Sequence, residues 1–235
     1  NLAANPNPLP TPNFDGEGRV PTGPLPGGLG DGVAFNGTGA ETATYLSDPV
    51  IARAGKITIA GVGVLNFLGT EPANMFGLAV ANVNFANGND VLTVANGFGA
   101  TVPTSGTPAI VVSGTSGGLA FEQVHLSGNT LVNIDTVTGG VDGNDTITIN
   151  SANNAHGNGS LTITTGFAAP DTLNLNGNVS LDGNLVINGV EEVVLGAIVA
   201  LDTEHGNDGP GASVICGLAR GGPPLPPSVR GARLG

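Results

Sequence analysis

Few residues of this chain can hold or move charge, and the acidic ones gather in glycine-rich turns. Residues 139–147 (GGVDGNDTI) approximate the nonapeptide Gly-Gly-x-Gly-x-Asp-x-aliphatic-x, in which carboxylates and turn carbonyls bind calcium. Asp142 and Asp145 are the candidate ligands. The fourth position is Asp142 rather than glycine, and such motifs share each ion between tandem copies, of which this is a single near-copy. The competing reading is an ordinary polar turn. Residues 202–208 (DTEHGND) place Asp202, Glu204, His205 and Asp208 together as further candidate metal ligands. No second histidine lies at ligand spacing, so an acidic loop competes there as well.

Covalent and acid–base chemistry has weaker support. Residues 114–118 (GTSGG) fit the pattern Gly-x-Ser-x-Gly, but a nucleophile elbow needs a strand before it and a helix after it. The next residues (LAFEQV) read as more strand. Glycoside hydrolysis needs two facing carboxylates, whereas Glu191 and Glu192 are adjacent and would point to opposite faces of a strand. Arg53 and Lys56 are the only basic residues of the central region, which leaves little to bind an anionic sugar. The chain is therefore read as having no catalytic site and no cofactor other than calcium, with a polysaccharide lyase or hydrolase as the enzymatic alternative.

The elements that would position these residues are short strands. From residue 33 to 201, apolar runs alternate with small polar residues and are broken by Gly, Asn or Asp. Segments 56–60 (KITIA), 62–67 (VGVLNF), 80–85 (VANVNF), 91–94 (VLTV) and 109–113 (AIVVS) follow period two. Denser still are 146–149 (TITI), 160–164 (SLTIT), 172–175 (TLNL), 179–181 (VSL), 185–187 (LVI) and 193–195 (VVL). A pattern of Asp, any residue, Leu or Ile, Thr or Asn, then an aliphatic recurs at Asp90, Asp145 and Asp171, with unequal spacings of 55 and 26 residues. Gly-Asn turns followed by an aliphatic recur at Gly128, Gly157, Gly177 and Gly183. One turn plus one strand cannot bury its apolar face alone, so such units must stack. The fold expected is all-β: a parallel β-helix or β-solenoid-like body, with a β-sandwich as the alternative.

Composition agrees. With 40 Gly, 17 Pro and 10% charged residues among 235, long helices are disfavoured. A net charge of −12 with six basic residues rules against a nucleic-acid partner, which needs a basic stripe to displace counterions. The single cysteine, Cys216, precludes an internal disulfide, and no apolar run is long enough to span a membrane. Residues 1–32 carry seven Pro and seven Gly and read as an extended arm. Residues 202–235 read as an acidic turn followed by a Gly/Pro-rich tail containing Arg220, Arg230 and Arg233.

Residues 139–195 resemble the β-strand-repeat regions of very large bacterial surface proteins, adhesin-like and planctomycete-type, and residues 55–138 resemble them more loosely. The resemblance implies an extracellular or cell-surface, repetitive, non-catalytic scaffold. The function expected is a structural protein that self-associates into a filament or surface layer through its arms or strand edges. An adhesin or carbohydrate-binding segment, with glycans as partners, is the alternative.

Overall fold

The computed structural model describes residues 11–14, 32–69, 72–100, 104–138, 141–152, 156–196, 199–203 and 214–217. Among them the backbone forms strands and no α-helix. In chain order these are β1 (Thr11–Phe14), β2 (Val33–Asn36), β3 (Thr42–Ser47), β4 (Ala54–Ile59), β5 (Gly63–Leu68), β6 (Ala73–Phe76) and β7 (Val80–Asn84). The middle of the chain adds β8 (Val91–Phe98), β9 (Pro108–Ser116), β10 (Leu119–Ala120), β11 (Val124–Ser127), β12 (Leu131–Asp135), β13 (Thr146–Ile149) and β14 (Ser160–Thr164). Then come β15 (Thr172–Leu175), β16 (Val179–Ser180), β17 (Leu185–Asn188), β18 (Glu192–Leu195), β19 (Leu201–Asp202) and β20 (Val214–Gly217).

A first sheet runs β1-β2-β6-β11-β9-β8-β13-β15-β18, with β10 paired to β9; a second runs β20-β17-β14-β12-β7-β3-β4-β5; β16 and β19 form a small third. From β6 onward the chain shuttles between the two large sheets, and most neighbours within each sheet are parallel. In the second sheet Val80, Leu131 and Ser160 lie side by side, so the register offset falls from 51 residues to 29 and then to 24 between β14 and β17. The early offsets are long because two antiparallel excursions interrupt the pattern, one through β4 and β5 and one through β9 and β10.

Period-two alternation decides which side chains go inside. In β12 Val132 and Ile134 are buried while Leu131, Asn133 and Asp135 face outward. Parallel pairing in register then stacks like on like: Tyr45, Val83, Ile134, Ile163 and Ile187 form one column, and Leu92, Ile147, Leu173 and Val193 another. Each buried aliphatic contributes roughly 1.5–3 kcal/mol of transfer free energy.

The turns stack too. Gly77, Gly128 and Gly157 all adopt left-handed backbone, with φ of 64°, 63° and 62°, and lie one above the other. Residues other than glycine rarely take this conformation. After two of them comes a buried asparagine: Asn129 Oδ1 accepts the Leu78 N–H at 2.9 Å, and Asn158 Oδ1 accepts the Asn129 N–H at 3.0 Å. The terminal segments each supply a strand to this framework. Residues 11–14 pair antiparallel with β2, and residues 214–217 pair in parallel with β17.

Candidate metal centre

Asp90, Asp145, Asp171 and Glu191 each stand one residue before a strand of the first sheet: β8, β13, β15 and β18. Because those strands pair in register, the four carboxyl groups form a column. Every step is bridged in the same way. The Asp90 N–H donates to Asp145 Oδ1 at 2.7 Å, the Asp145 N–H to Asp171 Oδ1 at 2.7 Å, and the Asp171 N–H to a Glu191 carboxylate oxygen at 2.6 Å.

Asp142 joins this column from the loop before β13. Its Oδ2 accepts the N–H groups of Phe167 (3.1 Å) and Ala168 (2.8 Å) in the loop before β15. Gly166 makes that approach possible, because a β-carbon there would fall 2.0 Å from the Asp142 carboxylate. One carboxylate oxygen from each of Asp142, Asp145 and Asp171 lies within 4.8 Å of the other two.

Burial dominates the electrostatics. It raises the carboxyl of Asp90 from 3.8 to about 7, against the lowering effect of the Ser116 hydroxyl and with a further rise from the Asp145 charge. Asp171 is pushed up to about 6, first by burial, with the neighbouring Asp145 and Glu191 charges adding to it. Asp145 is raised for the same primary reason, opposed by the Thr136 hydroxyl. Taking these charged carboxylates out of water is costly, so the column favours whatever neutralises it, a proton or a cation.

No family model matches the chain, and no curated protein or solved structure matches it. Of the residues singled out in the sequence, Asp142 and Asp145 come together, and Asp171 completes the group. Asp171 was visible only as a copy of the Asp-initiated repeat; its place beside Asp145 follows once β13 and β15 pair in register. Asp202 sits exposed on β19 outside this cluster, while Glu204, His205 and Asp208 lie outside the described residues.

The other motifs resolve locally. Ser116 of the Gly-x-Ser-x-Gly segment ends β9, and the chain turns at Gly117 and Gly118 into β10, so a strand follows where an elbow needs a helix. Ser116 Oγ accepts the Asn87 N–H at 3.1 Å. Glu191 is half-buried in the column and Glu192 is exposed. Buried Glu122 is raised to about 7 by burial, which the charge of Arg53 partly offsets. A groove of about 160 Å³ beside β5 is lined by Phe35, Ile57, Ile59, Val62, Gly63, Val64 and Leu65 and contains no ionisable side chain. Among the described residues no helix is long and apolar enough to cross a membrane.

Proposed function

We propose that this chain is a non-catalytic extracellular structural protein, with a parallel β-solenoid body, that self-associates through open strand edges into a filament or surface layer. The observation that carries this reading is the stacking of like residues in register, Asp on Asp, Asn on Asn and Gly on Gly. Polar side chains here are committed to joining one turn of the chain to the next: Asn129 and Asn158 satisfy backbone groups of their neighbours, and each acidic residue of the column accepts the N–H of the one before it. Repetitive stacking gives length and stiffness, which is what a surface scaffold needs.

Strand edges supply the means of association. The second sheet ends at β5, where Val64 and Leu68 are 59% and 69% exposed; the first ends at β18, where Val194 and Leu195 are 40% and 49% exposed. An edge strand carrying exposed aliphatics and free backbone groups favours pairing with another chain. β5 belongs to the early part of the chain and β18 to the late part, so joining them would give a head-to-tail series. β1 and β20 stand at the opposite ends of the same two sheets, so the terminal arms offer strand edges for the same kind of contact.

Sedimentation velocity tests the proposal. Wild type is expected to sediment as concentration-dependent oligomers, and Val64→Lys and Val194→Lys to shift the distribution toward monomer. A wild-type protein that remains monomeric at all concentrations contradicts it.

A second reading, a carbohydrate-binding adhesin segment, is favoured by the exposed rings of Phe98 and Phe167, at 63% and 72%, which offer apolar faces to sugar rings. Glycan-array binding lost in Phe98→Ala and Phe167→Ala would support it.

A further inference from the structure

We propose that Asp142, Asp145 and Asp171 form a binding site for one calcium ion, clamping the loop before β13 to the loop before β15. The inference does not rest on the scaffold reading.

The three carboxylates are built alike. In each, one oxygen is fixed by backbone N–H groups: Asp142 Oδ2 by Phe167 and Ala168, Asp145 Oδ1 by Asp90, and Asp171 Oδ1 by Asp145. In each, the second oxygen is buried and has no hydrogen-bond partner: Asp142 Oδ1, Asp145 Oδ2 and Asp171 Oδ2. Asp145 and Asp171 are each only 1% exposed. Buried polar atoms without partners are rare because each costs about 1–3 kcal/mol, and more when charged. Three of them in one cluster call for a shared partner. The Thr165 hydroxyl, also 1% exposed, stands beside Asp171 and lowers its carboxyl, adding one more oxygen to the group.

The donor set selects the ion. All the candidate donors are oxygens, which suits a hard cation, and no histidine or cysteine belongs to the cluster. Calcium takes 6–8 oxygens at about 2.3–2.6 Å in irregular arrangements, with waters completing the set, whereas magnesium requires near-octahedral order at about 2.0–2.1 Å. Two oxygens bound to one calcium at about 2.4 Å lie at most about 4.8 Å apart. The three carboxylates meet that span, and they do so from two loops separated by 26 residues in sequence.

The test uses the whole chain, stripped with a chelator and titrated with calcium chloride by calorimetry, with thermal unfolding recorded in chelator, calcium and magnesium. Asp142→Asn, Asp145→Asn and Asp171→Asn are suitable variants, since asparagine keeps an acceptor for the anchoring N–H and replaces the other oxygen with an amide. Wild type is expected to bind one calcium per chain and to melt higher in calcium than in chelator or magnesium. Each variant is expected to fold, to bind calcium more than about tenfold more weakly and to lose the calcium-dependent rise in Tm. Absence of calcium heat and of any Tm change in wild type would overturn the proposal. So would variants that bind like wild type. Variants that are simply more stable than a calcium-indifferent wild type would show that the carboxyls hold protons instead.

Discussion

Asn129→Ala probes how the turns are held together. Asn129 is 1% exposed; its Oδ1 accepts the Leu78 N–H at 2.9 Å, and its amide donates to the Met75 carbonyl and to Asn158 Oδ1, both at 3.0 Å. Alanine removes all three bonds and leaves the Leu78 N–H buried without an acceptor. A net loss of about 1 kcal/mol per bond, with a further 1–3 kcal/mol for the orphaned donor, gives a total of roughly 4–6 kcal/mol. Asn129→Asp should cost at least as much, because the carboxylate keeps the Leu78 contact but turns an oxygen toward the Met75 carbonyl and Asn158 Oδ1. The control is Asn133→Ala, whose amide bonds Asn82 at 2.8 Å on the outward, half-buried face, where water can substitute; under about 1 kcal/mol is expected. Urea unfolding followed by far-UV circular dichroism reads the differences. A loss below about 1 kcal/mol for Asn129→Ala would refute the view that a buried amide ladder binds one turn to the next.

Ile134→Ala, in the column between Val83 and Ile163, should cost about 2–4 kcal/mol by the same assay. Gly157→Ala should cost about 1–2 kcal/mol through its left-handed backbone alone, because a β-carbon there meets nothing closer than 3.8 Å. Gly177→Ala should cost more, since its β-carbon would overlap the Asn150 carbonyl. Two buried groups give opposite pH dependences. His156, whose Nδ1 accepts the Asn158 N–H, is lowered from 6.5 to about 4 by burial, so it binds fewer protons folded than unfolded, and its contribution is lost as pH falls from about 6.5 to about 4. Glu122, raised from 4.5 to about 7, binds more protons folded than unfolded, and its contribution is lost as pH rises from about 4.5 to about 7. Relative to wild type, His156→Asn should therefore gain up to about 1.4 kcal/mol per pH unit on acidification, and Glu122→Gln the same on alkalinisation across those windows, both checked by urea midpoints at several pH values.

Where one face of a strand is buried and the other wet, the fold was legible in the sequence. TITI, SLTIT and TLNL announce β13, β14 and β15 with the bounds the structure has, since each alternates aliphatic with Thr, Ser or Asn. β6 (ANMF) and β11 (VHLS) carry no such signal because all four residues of each are buried. Asn74 and His125 are accommodated there by the Thr104 hydroxyl and the Phe98 carbonyl, partners that no local pattern reveals. The unequal spacing of the Asp repeat, 55 and then 26 residues, obscured the stacking, and its cause is the detour through β9 and β10 between the first two copies. For the candidate site, Asp142 and Asp145 were readable from a glycine-rich turn. Asp171 needed the parallel register, and Glu191 escaped the repeat because it replaces Asp with a longer acid that reaches the same N–H.

Negative-stain electron microscopy of the purified chain at neutral pH, with Val64→Lys and Val194→Lys alongside, tests assembly through the strand edges. Wild type is expected to form filaments or sheets, and the edge variants single particles. Dispersed single particles for wild type, indistinguishable from the variants, would contradict it.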